Sequence, residues 1–445
     1  MSNAEKIANP GGESTPVQRR EIGAWAFFDF ANSGYTTVVL TTIYSTYFVA
    51  VIGARMEAET PGSATFVWTL AIGAANLLVL LSGPVIGAIA DRRASKKRFL
   101  FVSTALCVGS TALLALAGPD QLQFALMCLI LSAIAFAIGE NLIAAFLPEI
   151  ATPDNMGRIS GYGWSLGYFG GLLTLSACLA YINWAEAREM TATQYVPACL
   201  LITALVFAVT ASPTFIWLRE RATPLPSAQN LFYIRSGFDR VVLTLREAAH
   251  LPDLFRFLFC LTLFQSGVAT VVVVAAIYAQ EVVGFDSQQL IILIMVVNLT
   301  AAIGAFGFGQ AQDRFGSVVS LRAALLIWIV AIFFTQGVDS SGGVWLAGNL
   351  MGLAMGATQA GGRALVGQLT PPSRNGEIFG LWGLANRAAA IIGPVSYGLI
   401  IDATAGDYRF ALYSTLAFFV GGLILLGTIS EQRGRAAALL DEQAT

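Results

Sequence analysis

Gly87-Ala-Ile-Ala-Asp91-Arg92 and, 222 residues further on, Gly309-Gln-Ala-Gln-Asp313-Arg314 are one G-x-x-x-D-R motif written twice in the same chain. A second pair of matches extends the repeat. Phe30, Val38, Val39, Ile43 and Tyr44 recur as Phe264, Val272, Val273, Ile277 and Tyr278, offset by 234. The extra 12 residues fit the longer loop from Ala54 to Thr65. Two matches in register predict a duplicated unit of about half the chain.

What lies around the motifs says what the unit is. The chain has 445 residues, of which 56% are hydrophobic and 12% charged. A soluble domain carries about 25% charged residues, so this chain takes lipid as its solvent. Twelve segments of the roughly 20 apolar residues needed to span a bilayer lie between residues 24 and 429, separated mostly by short polar turns. The reading is therefore an all-α membrane protein, with twelve transmembrane helices in two pseudo-symmetric six-helix bundles. The expected organisation is a disordered cytoplasmic N-terminus (1–20), an N-terminal bundle (21–219), a cytoplasmic linker containing Pro224 and Pro226 (220–253), a C-terminal bundle (254–430) and a cytoplasmic tail (431–445).

Lysine and arginine set the orientation. With the N-terminus inside, twenty of the 25 basic residues fall in cytoplasmic segments, including Arg92, Arg93, Lys96, Lys97 and Arg98. Only Arg55, Arg188 and Arg409 fall outside, and Arg363 and Arg387 lie within spans. No short apolar stretch with a small-residue cleavage site follows the polar start, so no signal peptide is read. The expected location is a bacterial inner membrane, with both termini cytoplasmic.

Several functions drop out. A net charge of -2 gives no nucleic-acid footprint. His250 is the only histidine and the five cysteines stand singly, so neither a metal centre nor a disulfide is expected. No G-x-x-x-x-G-K-[ST] occurs, so ATP is not the energy source. No nucleophile and base cluster within the spans, which argues against an enzyme. No cofactor is expected, and the partners are the lipid bilayer, a small-molecule substrate and protons, with the chain a monomer.

The motifs bring a resemblance. Gly87-x3-Asp91-Arg92-Arg93-x2-Lys96-Lys97 resembles the loop signature of the major facilitator superfamily, with Ala94 where glycine is usual, and Gly309–Gly316 resembles its degenerate second copy. The opening Trp25-Ala-Phe-Phe-Asp29-Phe30-Ala31-Asn32-Ser33 is similar to the start of the vacuole-effluxer-like family. So are Arg158-Ile-Ser-Gly-x-Gly-Trp164-x-Leu-Gly-Tyr168-x-Gly-Gly171 and Phe379-Gly-Leu through Ile392-Gly393-Pro394. The resemblance implies a secondary transporter and, through the fungal members, export of amino acids.

Charge within a membrane is costly, so each intramembrane charge is a site hypothesis. There are four: Asp29, Glu140, Arg363 and Arg387. Asp29 heads a polar stripe with Asn32, Ser33 and Thr36 on one helical face, expected to line a cavity. Asp29 and Glu140 are the proton-coupling candidates, and a static ion pair is the competing reading of Asp29. The 222 offset maps Glu140-Asn141 onto Gly362-Arg363, which predicts a Glu140–Arg363 contact, as an inner gate or a permanent salt bridge. Arg387 lies about 15 Å into its span at 1.5 Å per residue and is the best candidate to grip a carboxylate or phosphate. Arg363, Asn32, Tyr35, Asn386, Trp382 and Tyr168 complete the substrate-binding candidates, and packing competes as the role of every aromatic. The gating candidates are Gly87, Asp91, Arg92, Gly309, Asp313 and Arg314. Asp91 is expected at the start of the eleventh span and Asp313 at that of the fifth, where helix dipoles favour negative charge.

The function read from these residues is a secondary carrier of a small polar metabolite, an amino acid or similar zwitterion, working by alternating access with proton coupling. An organic-anion or lipid-like substrate is the alternative within transport, and a membrane sensor or scaffold the alternative outside it.

Overall fold

The computed structural model describes residues 16–60, 63–222, 250–281, 287–336, 341–404 and 408–444. Residues 1–15 of the expected disordered N-terminus and 223–249 of the expected linker lie outside the described residues. Every element described is helical. Lipid offers no hydrogen bonds, so an apolar chain crosses it as helices that satisfy their own backbone.

The first half comprises α1 (Arg19–Tyr35), α2 (Ser63–Arg92), α3 (Lys96–Leu114), α4 (Leu122–Ala144), α5 (Met156–Glu186) and α6 (Ala192–Trp217). The second comprises α7 (Pro252–Glu281), α8 (Ser287–Phe315), α9 (Ser317–Gln336), α10 (Ser341–Leu369), α11 (Asn375–Ala403) and α12, built of Tyr408–Ser414 and Leu416–Leu426. Arg19 and Arg20 are helical rather than part of a loose terminus. Among the described residues ten helices are long and apolar enough to cross a membrane, and a bent pair at the C-terminus makes eleven. The twelfth is α10, long enough at 29 residues but diluted by its glycines and by Asn349, Gln359 and Arg363. The expected tail is also helical. α13 (Glu431–Ala444) leaves α12 at a bend of 68°.

Each half has its own core. One gathers Trp25, Phe28, Tyr35, Phe136 and Phe207, and the other Phe264, Trp328, Phe379 and Phe419. Large apolar side chains such as Leu70, Leu205, Ile216 and Leu399 remain exposed, as expected where lipid covers them.

The two G-x-x-x-D-R connections, the start of α1 and α13 share one side of the bundle, here called the basic face. The connections repeat in detail. Ala94 has φ 46° and Gly316, at the same point of the second copy, has φ 93°. Both need the left-handed region, where a non-glycine residue loses about 1 kcal/mol. That explains the glycine usual at the Ala94 position. A glutamate then caps the next helix in each half. Glu220 accepts from the backbone amides of Lys96 (2.6 Å) and Lys97 (3.2 Å) at the start of α3, and Glu431 accepts from that of Val318 (2.5 Å) at the start of α9. Burial pushes the Glu220 carboxyl up, against the two amides and Lys96 that lower it.

An arginine follows each of these glutamates and pairs with the first turn of its half. Arg221 meets Glu21 at 3.0 Å, and Arg433 holds Asp253 through two bonds of 2.6 and 2.5 Å. The Asp253 side chain is fully buried, and the Ser430 amide also donates to it at 3.0 Å. Removing the guanidinium strands a buried carboxylate. Arg433→Ala is therefore expected to lower the melting temperature in detergent, and adding Asp253→Asn to recover part of the loss. An unchanged melting curve would mean that α13 is not fastened there.

Beyond Tyr35, α1 loosens into π turns at Thr36–Thr41 and Phe48–Ile52, with a break at Thr42 (φ −124°, ψ −87°). Threonine hydroxyls take up the freed carbonyls. Thr41 donates to Thr37 O (2.9 Å), Thr42 to the same oxygen (2.5 Å) and Thr46 to Thr42 O (2.8 Å).

Candidate functional site

The four intramembrane charges form two ion pairs, and each joins the two halves. Asp29 Oδ2 of α1 meets Arg363 Nη1 of α10 at 2.7 Å. Glu140 Oε2 of α4 meets Arg387 Nη2 of α11 at 2.9 Å. The expected Glu140–Arg363 contact is thus corrected. The repeat offset relates positions within each half, whereas the pairing depends on which helices cross at the same depth. In both pairs the acid belongs to the first half and the base to the second.

The pairs differ in access. Arg363 and Asp29 keep only 3% and 12% of their side-chain surface exposed, against 20% and 31% for Arg387 and Glu140. Arg363 is the more embedded residue. It donates to the Ser160 hydroxyl (3.2 Å) and carbonyl (3.0 Å). Its guanidinium also lies 4.6 Å from the Trp25 ring and 5.4 Å from that of Trp164. Gly163 makes the space, since a Cβ there would overlap Asp29 Oδ2 and stand 2.6 Å from Arg363 Nη2. The Asp29–Arg363 pair is thus sealed, and the Glu140–Arg387 pair half-buried.

The polar stripe of α1 is partly covered, with Asp29 and Asn32 buried and Ser33 and Thr36 half-buried. Gly163 and Gly167 of α5 pack against Asp29 and Ser33, where side chains would collide, and Asn32 is buried. Tyr35 is corrected too, being buried with its hydroxyl donating to Ser132 Oγ (2.8 Å) and its ring 5.0 Å from Phe136. Trp382 is buried against Phe379. Tyr168 is half-buried beside Trp164. Asn386 joins a group that the sequence did not flag, because Gln265 of α7 donates to both Gln359 Oε1 (2.8 Å) and Asn386 Oδ1 (2.9 Å). The signal was available, as an amide within an otherwise apolar helix.

On the basic face the two motifs reach across the halves. Asp91 accepts from the Gly376 and Glu377 amides at the first turn of α11 (2.9 and 3.0 Å). Asp313 accepts from the Arg158 amide at the start of α5 (3.1 Å). A helix N-terminus leaves its first amides free, and a carboxylate satisfies them. The motif glycines let these helices approach. A Cβ on Gly87 would overlap the Gly376 carbonyl oxygen, and one on Gly309 would stand 2.7 Å from that of Gly157. Arg92 is exposed, and Arg314 lies over the Phe315 ring at 5.2 Å. Lys96, grouped by sequence with the solvated basic run, is instead fully buried. It pairs with Asp91 at 3.3 Å and with Glu149.

Comparison with known proteins places this geometry. The family model described as vacuole effluxer Atg22 like matches residues 63–439. The uncharacterized MFS-type transporter YxiO of Bacillus subtilis is 25% identical over 422 residues, covering 93% of this chain and 95% of that one. Autophagy-related protein 22-1 of Aspergillus fumigatus is 25% identical over 307 residues, or 63% of this chain. This match spans about half (49%) of that fungal relative's length. Among solved structures, the human organic anion transporter MFSD10 superposes with a TM-score of 0.74 at 16% identity, covering 93% of this chain and all of that one. The transporter FucP in the outward conformation gives 0.72 at 15%, covering 93% and 99%. At such identities the likeness speaks for the fold.

Proposed function

Given that the chain belongs to the vacuole effluxer Atg22-like family and is a major facilitator transporter, we propose that it carries a small zwitterion, an amino acid or close analogue, by alternating access. The observation that carries this is the distribution of charge. Both intramembrane acids sit on the first half and both bases on the second, and in the closed basic face each acid neutralises a base. A zwitterion can take over one such pair, its ammonium on the carboxylate and its carboxylate on the guanidinium. The half-exposed Glu140–Arg387 pair is the reading's binding site, and Asp29–Arg363 its lock. In this reading the basic face is cytoplasmic, as the lysine and arginine bias favours, and the family's description as effluxers favours export. Asp91 and Asp313 act as latches that close the basic face and release when the halves rock.

Proton coupling would pass through Asp29 or Glu140. The test is uptake of labelled amino acids and organic anions into proteoliposomes, with and without a pH gradient, for wild type beside Asp29→Asn. Gradient-driven accumulation of an amino acid, lost in Asp29→Asn, is the expected result. Accumulation that the variant leaves intact would move coupling to Glu140. Flux of organic anions alone would replace the zwitterion by the second reading, in which Arg363 and Arg387 recognise an anion.

A further inference from the structure

The amide group that joins α7, α10 and α11 has an unused valence. Gln265 is 6% exposed, and its Nε2 supplies both of the bonds that tie α7 to α10 and α11. Its Oε1 is buried and has no partner among the described residues. Asn386 is fixed in turn by donating to the Trp382 carbonyl at 2.9 Å. A buried acceptor left open is disfavoured, so Gln265 Oε1 is ready to take a donor. Position adds to the case. Asn386 adjoins Arg387 in the chain, Gln359 lies one turn from Arg363, and both amides are half-buried rather than sealed.

We propose that Gln265, Gln359 and Asn386 form a subsite for an uncharged hydrogen-bonding group of the substrate, a hydroxyl or carboxamide that donates to Gln265 Oε1. The proposal rests on the zwitterion reading and narrows it to neutral polar amino acids. The recognition is selective for a physical reason. An apolar guest of the same shape leaves the acceptor open and covers it, whereas a donor satisfies it. Sites built to bond a polar group reject analogues that lack it far more strongly than apolar pockets reject an extra methylene.

The experiment compares near-isosteric pairs in proteoliposomes, labelled threonine against valine and asparagine against leucine. Wild type is expected to favour the polar member of each pair at least ~10-fold in initial rate over concentration. Gln265→Leu should erase that preference by slowing the polar members while aliphatic uptake persists. Gln359→Met tests the same subsite at a less buried position, should Gln265→Leu fail to fold, and should reduce the preference. Wild type that carries both members of each pair equally would overturn the subsite and leave the zwitterion reading standing. A preference unchanged in both variants would likewise overturn it. Absence of uptake for every amino acid would remove the zwitterion reading itself, and the subsite with it.

Discussion

Arg363→Ala is expected to abolish uptake and to destabilise the folded protein by roughly 3–5 kcal/mol, the usual cost of leaving a buried charge without its partner. The guanidinium holds Asp29, donates twice to Ser160 and lies near two tryptophan rings. Its loss strands a carboxylate that has only 12% of its surface exposed. A cycle separates structure from function. In Asp29→Asn with Arg363→Gln neither member of the pair is charged, so melting in detergent should return most of the way to wild type. Uptake should not return, because the lock between halves is gone. If Arg363→Ala melts as wild type does, the pair does not hold the halves together. Recovery of uptake in the double variant would make the pair structural only.

Gly87→Ala is expected to be nearly as damaging, for a steric reason. Its Cβ would overlap a backbone carbonyl on the first turn of α11, and a backbone atom cannot turn aside as a side chain can. The two helices must separate, which pulls Asp91 from the Gly376 and Glu377 amides. The basic face would then stand open. Met156→Cys reports on closure of the same face at its other seam, between α5 and α10, since Met156 is 2% exposed and its sulfur faces Gly367 of the opposite half. A maleimide should label that cysteine slowly in the wild-type background and at least ~10-fold faster with Gly87→Ala, a shift of about 1.4 kcal/mol or more. Equal labelling would show that the glycine contact does not keep the face closed.

Much of the architecture was legible because it rests on patterns that survive in one dimension. Apolar length gave all twelve spans, α10 among them, although glycines and polar residues dilute its apolar run. The double motif gave the duplication, and the placement of Asp91 and Asp313 at helix starts followed from the same repeat. The site was less legible. All four membrane charges were visible, yet their pairing was not, because it depends on helix crossings that sequence spacing does not encode. The stripe from Asp29 to Thr36 lies on one face as the helical period requires, but the glycines of α5 pack closely on Asp29 and Ser33. Lys96 illustrates the same limit. Within the basic run Arg92–Arg98 it alone is fully buried, drawn in by the neighbouring Asp91 and by Glu149 from further along the chain. Gln265 was overlooked because an amide carries no charge to draw notice.

The proposed exchange of one ion pair for the two ends of a guest makes a demand on the guest itself: it must carry both charges. Uptake into proteoliposomes should therefore be compared for an amino acid that the protein carries, for its analogue without the amino group and for its analogue without the carboxylate. Only the zwitterion should accumulate, with each single-charge analogue at least ~10-fold weaker as substrate and as competitor, a deficit of about 1.4 kcal/mol or more. Transport of the carboxylate alone at the rate of the parent would contradict the exchange and leave an anion carrier in its place.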